Sequence, residues 1–376
     1  MIQVGVTRLK IIFSIIAIIV IVIIIQNINY ARRIKKDDPA FILQLIKQKA
    51  VDKTIGVIMQ YNDERVVTIN EHEPLPLAST SKVMIAVTYA ELAAKGDIDP
   101  QTRISLVELE RYNVPKTDGG AFNRWLSTLN TEDNKVTLQE IVSGMIAEGA
   151  NANADFLMTY IGLDRINSTI KNLGMEHHEP IYPFLSSMYI AEHFRSLENL
   201  DLPAAFTKIE EMSIEEYREK ALAIHDQWKV NPLTDHEKKS FLKTANLYMQ
   251  KLWSERLPKA TADEYTILME KINSKNYFSK EVHEHLDPIM EHMMVHPENQ
   301  ELFEYAGQKA GLTSQVVTLA MYAKDKQNNR FEFVFFANKL TAFERAKVGQ
   351  NINLFQRKFI KDESFRKHVI QTLAND

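Results

Sequence analysis

The sharpest feature of the hydropathy pattern is an apolar run from Ile11 to Ile25, broken only by Ser14. Spanning a bilayer takes about 20 residues, and the segment reaches that length when counted from Leu9 to Tyr30. Small residues suited to signal cleavage do not follow it, and Lys10 and Arg32 can extend their ammonium and guanidinium groups to the two interfaces. Residues 1–36 are therefore expected to form one transmembrane anchor, with the membrane contacted through residues 9–30. Arg8 and Lys10 precede the run, while Arg32, Arg33, Lys35 and Lys36 follow it. Taken literally, the positive-inside rule places the body in the cytoplasm.

Beyond residue 36 the period of the pattern changes several times. "TIGVIMQYNDERVVTIN" holds two β-rich runs joined at Asn62-Asp63, the composition of an antiparallel hairpin. A helix is predicted from about Thr80 to Lys95, with Ser79, Thr80 and Ser81 available as N-caps and Gly96 as its stop. Helix is also predicted over 137–161, 206–257, 261–273 and 280–294. The stretch "GQKAGLTSQVVTLAMYAKDKQNNRFEFVFFANKL" reads as two or three strands turning at Asn328-Asn329, followed by a last helix from about Phe343. Strands at both ends with helices between them predict one α+β domain over 37–376, its antiparallel sheet shared by N- and C-terminal strands. A charged stretch at about 191–257, with Glu210-Glu211, Glu215-Glu216 and Lys238-Lys239, reads as a helical pair inserted at the cleft edge.

Composition narrows the function classes. A formal net charge of -4 over 376 residues gives no reason to expect a nucleic-acid partner. The absence of cysteine excludes disulfides, thiolate metal sites and cysteine nucleophiles. His292 and His296 have the spacing that puts two imidazoles on one helix face, but no glutamate of an H-E-x-x-H motif stands between them. The histidines are read as exposed and unpaired, and no metal or cofactor is expected. Asp118-Gly119-Gly120, near Trp125, is read as a turn beside a buried aromatic.

The chemistry lies in "LASTSKVMIAV". Ser79 and Lys82 are three residues apart, so a helix returns them to nearly the same face. A desolvated lysine amine there can lose its charge, take the hydroxyl proton and activate the serine. A helix N-terminus adds a field that favours negative charge on an attacked carbonyl. The same Ser-Thr-Ser cluster is also an ordinary cap, so the motif alone does not decide.

Its surroundings carry a resemblance. A hairpin, then Ser79 to Lys82 opening an apolar helix, then Gly149-Ala150-Asn151, then Lys309-Ala310-Gly311 in a strand, resembles the order of motifs in the penicillin-recognising serine hydrolases. Within that superfamily it is most similar to the class A serine β-lactamases, over about residues 50–190 and 258–375. The resemblance implies the β-lactamase/transpeptidase-like fold, with Ser79 acylated and Lys82 as its base. It implies that Asn151 contacts the substrate amide and steadies Lys82, and that Lys309, Gly311, Leu312 and Thr313 bind substrate. The backbone N–H groups of Ser79 and Leu312 would form the oxyanion hole. Gly149 and Ala310 stand where the family carries hydroxyls, leaving Thr313 or Ser314 to compensate. Glu176 and Glu179 are the candidate deacylation bases, outside the family's usual setting.

The implied function is a membrane-anchored hydrolase of an amide or ester, of β-lactam or cell-wall peptide type, with its body outside the cell. Two alternatives stay open: a binding module for wall peptides or a partner protein, and an esterase or amidase for a neutral substrate.

Overall fold

The computed structural model describes residues 2–129 and 133–374, with side chains from Ile19 onward. A helix of 34 residues, Ile2–Lys35, leads into the body. The expected span at residues 9–30 thus falls partly outside the side chains described. Among the described residues, no helix is long and apolar enough to cross a membrane.

The body is α+β. Its central antiparallel sheet is made of β1 (Ile55–Tyr61), β2 (Glu64–Ile69), β3 (Phe303–Leu312), β4 (Val317–Asp325) and β5 (Arg330–Ala337), in the order β2-β1-β5-β4-β3. Asn62 and Asp63 take φ of 50° and 66°, the left-handed pair that a two-residue hairpin needs and that Asn and Asp tolerate. Residues near the start pair with residues near the end, as in Ile55 with Ala337 and Tyr61 with Phe331.

Both faces of the sheet are covered, which explains why "RFEFVFFA" is nearly all apolar. Its period of two sends Phe331, Phe333 and Phe335 against Phe355 and Phe359 of the Ala342–Lys361 helix. Val334 and Phe336 face the other core, where Phe336 meets Tyr265 of the Ala262–Asn273 helix. The Lys82–Ala94 helix lies in that second core and is buried nearly all round. A helix apolar on every face is one surrounded by protein, so Lys82 starts its chain in a site that water does not reach.

Several boundaries differ from expectation. The predicted helix over 137–161 is two helices, Leu138–Ala147 and Asn151–Ile161, separated at Gly149, whose φ of 84° no helix can hold. The 280–294 segment is an α-helix, Lys280–Met290, followed by a 3-10 turn, His292–Val295. The expected helical pair is four helices, Leu202–Glu211, Ile214–Val230, Asp235–Thr244 and Leu247–Arg256. Each of them opens with a side-chain cap, from Asp201, Ser213, Thr234 or Asn246, a punctuation that propensity summed over the stretch conceals.

Candidate active site

Ser79 sits in a 3-10 turn, Ala78–Ser81, that runs directly into the Lys82–Ala94 helix. None of the three hydroxyls caps it. Ser81 Oγ donates to Ala78 O at 2.9 Å, Thr80 Oγ1 pairs with Thr318 Oγ1 at 2.7 Å, and Ser79 Oγ has no hydrogen-bond partner among the described residues. The turn is held open by Ala78 at φ 46°, a left-handed conformation that costs an alanine roughly 1–2 kcal/mol.

Lys82 is fully buried. Its Nζ donates to Gly149 O at 2.7 Å and to Asn151 Oδ1 at 2.8 Å. A neutral amine has two N–H groups and one lone pair, and two carbonyl oxygens occupy both donors. The lone pair is left to accept a proton. Burial, reinforced by the positive charge of Lys309, holds the Lys82 ammonium well below the ordinary lysine range. The same two contacts fix Asn151 with its oxygen toward the lysine. Its Nδ2 donates to none of the described residues.

The third motif lies on edge strand β3. Thr313 N donates to Val316 O at 3.0 Å, which makes Thr313 and Val316 a hydrogen-bonded pair of the hairpin. Antiparallel alternation then makes Leu312 and Val317 a non-bonded pair, so the Leu312 N–H points off the open edge. Gly311 is required beside it. A Cβ there would sit 2.6 Å from Ser79 N and 2.9 Å from Ala78 Cβ, with Thr318 Oγ1 closer still. The strand therefore lies against the nucleophile turn, with two N–H groups, those of Ser79 and Leu312, available for an oxyanion.

Lys309 Nζ donates to Ile146 O at 2.9 Å and passes beside Gly149, where an added Cβ would meet it at 3.5 Å. Burial pushes its pKa down to about 8, against the pull of Glu148. Its charge is therefore present below about pH 8 and lost as the pH rises through that value. Acylation by a carboxylate-bearing β-lactam is expected to show a weakening apparent affinity across about pH 7 to about pH 9. A neutral fluorophosphonate measured over the same range should show no such loss.

These groups meet in a cleft of about 940 Å³ that includes Ser79, Asn151, Lys309, Leu312 and Thr313. Glu176 and Glu179 do not line it. Glu176 is exposed, and Glu179 is paired with Arg218 at 2.8 Å and accepts from Lys259 N at 3.1 Å. The wall near the lysine is instead Phe184, whose ring centroid lies 5.3 Å from Lys82 Nζ. Of the two carboxylates on the cleft lining, Asp118 caps the N–H groups of Gly120, Ala121 and Phe122, and Glu148 binds Arg124 at 3.1 Å. Thr313 Oγ1 is also engaged, accepting from Ser254 Oγ at 2.8 Å and from Val316 N at 3.1 Å. Ser314 Oγ is the hydroxyl that stays unpaired, at the cleft wall.

Asp155 escaped the motif reading, although it stands one helical turn after Asn151. Its carboxylate accepts from Phe184 N and Leu185 N, both at 2.8 Å, and so fixes the Phe184 wall to the Asn151 helix. Burial raises its pKa to about 7, against those two bonds and the charge of Lys82. Arg345, on the Ala342–Lys361 helix, lines the opposite rim, and its buried Nε has no partner. The histidines are less exposed than expected. His178 is buried against Tyr265, His283 is buried against Asp287, and His292 lines the cleft. No group of three metal-binding side chains occurs among the described residues.

A family model described as the beta-lactamase enzyme family matches residues 40–311, well over half of the chain. The chain belongs to the beta-lactamase enzyme family. Its fold is that of solved beta-lactamases. A class A enzyme from Bacteroides cellulosilyticus aligns with a TM-score of 0.50 at 16% identity, covering 91% of this chain and 100% of that one. A beta-lactamase from Chitinophaga pinensis aligns at 0.51 and 16% identity, covering 84% and 98%. No curated protein matches the sequence. At such identities this family member shares a fold with these enzymes, and its chemistry rests on its own side chains.

Proposed function

We propose that the protein is a membrane-anchored serine hydrolase that forms an acyl-enzyme at Ser79 with an amide or ester of β-lactam or cell-wall peptide type. The observation that carries this reading is Lys82, buried and with two carbonyl oxygens on its amine, three residues after a serine whose hydroxyl has no partner among the described residues. Lys82 takes the Ser79 proton, Ser79 Oγ attacks the carbonyl, and the Ser79 and Leu312 N–H groups receive the oxyanion. The proton then goes to the leaving group through water, because Gly149 has no hydroxyl to pass it on. Deacylation is slow, since the Phe184 ring lies beside the lysine and the nearby carboxylates are all engaged, Asp155 by Phe184 N and Leu185 N, Asp118 by its turn and Glu148 by Arg124. Lys309, Arg345 and Ser314 favour an anionic substrate over a neutral one.

The apolar run from Ile11 to Ile25, which lies within the Ile2–Lys35 helix, supports the anchor. Thirty-four residues of helix extend about 51 Å, more than a hydrocarbon core needs. We place the body on the outer, cell-wall side, as this substrate class requires.

Intact-protein mass after exposure to a panel of β-lactams and a fluorophosphonate tests the chemistry. The expected result is a stable adduct on the peptide that contains Ser79. A second reading, a recognition module without turnover, is favoured by the missing hydroxyl at Gly149, and no adduct from any probe would establish it over the first. Protease protection in intact cells and inverted vesicles tests the orientation; a protected body in intact cells that is digested in inverted vesicles would rule out the outer face.

A further inference from the structure

We propose that the cleft works at the membrane surface, on an acyl donor that is itself lipid-linked and carries an anionic group near the scissile carbonyl; this rests on the anchor reading above. The foot of the Ile2–Lys35 helix is built into the body. The last carbonyls of a helix lack partners and form its negative end. Here they are met by Lys347, only 3% exposed, whose Nζ donates to Arg33 O at 2.9 Å and Lys36 O at 2.6 Å. Asp38 N donates to Asn351 Oδ1 at 2.5 Å. Phe343 packs on Tyr30 with ring centroids 5.7 Å apart, and the Arg33 guanidinium lies 5.1 Å from the Phe343 ring centroid.

Lys347, Asn351 and Phe343 belong to the same helix as Ala342 and Arg345, which line the cleft. From Ala342 to Lys347 is about 7.5 Å along the axis. The link to the catalytic strand is equally direct, because Leu340 N donates to Gln315 O at 3.0 Å in the hairpin that follows Leu312. If the helix enters the bilayer at Arg32 and Arg33, the cleft is held close to the headgroup layer in a fixed orientation. A soluble substrate would be served as well by a loose tether.

The cleft has the chemistry of an amphiphile. Leu247 is 77% exposed on one lip and Leu312 57% on the strand edge, while Lys309 and Arg345 supply positive charge. Arg32, Arg33, Lys35 and Lys36 stand where anionic headgroups would be. The apolar lip receives the lipid portion, and the cations receive the acidic group.

The chain has no cysteine, so a single one can be labelled without background. The full-length protein is reconstituted in phosphatidylglycerol–phosphatidylcholine vesicles with an environment-sensitive dye at Leu247→Cys or, as a control, at Asn328→Cys. Asn328 lies in the turn at the end of β4 and β5 remote from Leu312 and Leu340, roughly 25 Å along the strands. Headgroup spin-labelled lipid is expected to quench the dye at 247 and not at 328. A flexible insert of about ten glycine and serine residues between Lys36 and Asp37 should abolish the difference while alkaline washing still leaves the protein in the vesicles. Equal quenching at the two positions in the uninserted protein would overturn the placement and leave the anchor standing. Release by the alkaline wash would overturn the anchor reading itself. In the same vesicles, a lipid-tailed acyl probe is expected to label Ser79 at least about tenfold faster than its soluble counterpart. Equal rates would overturn the substrate class, and labelling by neither would overturn the acylation reading, which the dye measurement does not use.

Discussion

Replacing Lys82 with methionine is expected to slow acylation of Ser79 by about 10²- to 10⁴-fold, the range typical of a lost general base. Methionine keeps the length and apolar stem of the lysine but has no proton acceptor of comparable basicity. It also leaves Gly149 O and Asn151 Oδ1 without their donor. Lys82→Arg provides the decisive comparison. Arginine restores donors for both oxygens but stays protonated at any usable pH, so a variant that is structurally rescued and still slow isolates the proton transfer. Single-turnover acylation by a fluorophosphonate, followed by intact mass, measures both. A rate for Lys82→Met within tenfold of the parent would show that another group activates Ser79.

Gly311→Ala should be nearly as damaging for a different reason. The added methyl would sit 2.6 Å from Ser79 N, a backbone group, and closer to Thr318 Oγ1, part of a bonded hydroxyl pair. Neither can move freely, because Thr318 Oγ1 also donates to Leu77 O at 2.7 Å. Overpacking of this kind costs about 1–3 kcal/mol. The strain is relieved only by parting strand β3 from the nucleophile turn, which separates the two oxyanion donors. Loss of one such donor typically costs about 10²- to 10³-fold in rate. Thermal unfolding and acylation rate, measured on the same sample, should therefore fall together. A variant with parental stability and parental acylation would mean that the strand and the turn are not in contact in solution.

Much of this was legible in the chain because the relevant signals are local. The Asn62-Asp63 turn, the β-rich run "RFEFVFFA" after Asn328-Asn329 and the Ser79 to Lys82 spacing each depend on a few neighbouring residues. The parts that were not legible are settled at long range. Ser79, Thr80 and Ser81 read as caps, yet Thr80 bonds to Thr318, which no local rule can foresee. Glu176 and Glu179 were plausible bases by distance along the chain, but Arg218 claims Glu179 and Phe184 occupies the wall. Asp155 was passed over because its partners are backbone N–H groups about thirty residues on, and a backbone donor has no sequence signature. Arg345 lay in a predicted helix with nothing to mark that helix as part of the cleft.

The pairing of β1 with β5 also has a consequence for biogenesis. Ile55 and Ala337 are partners in the sheet, and Lys347 closes onto the foot of the first helix. Until the chain has been made past Phe336, β1 has one neighbour, β2, and an unpaired edge, while strand β3 has no sheet to join. Such distant pairings make folding slow, because loop closure is completed before most contacts form. The sheet must therefore stay incomplete, with the β1 edge unpaired, until residues 330–337 have been made. Folding factors that shield β-edges should limit its yield more than its final stability does.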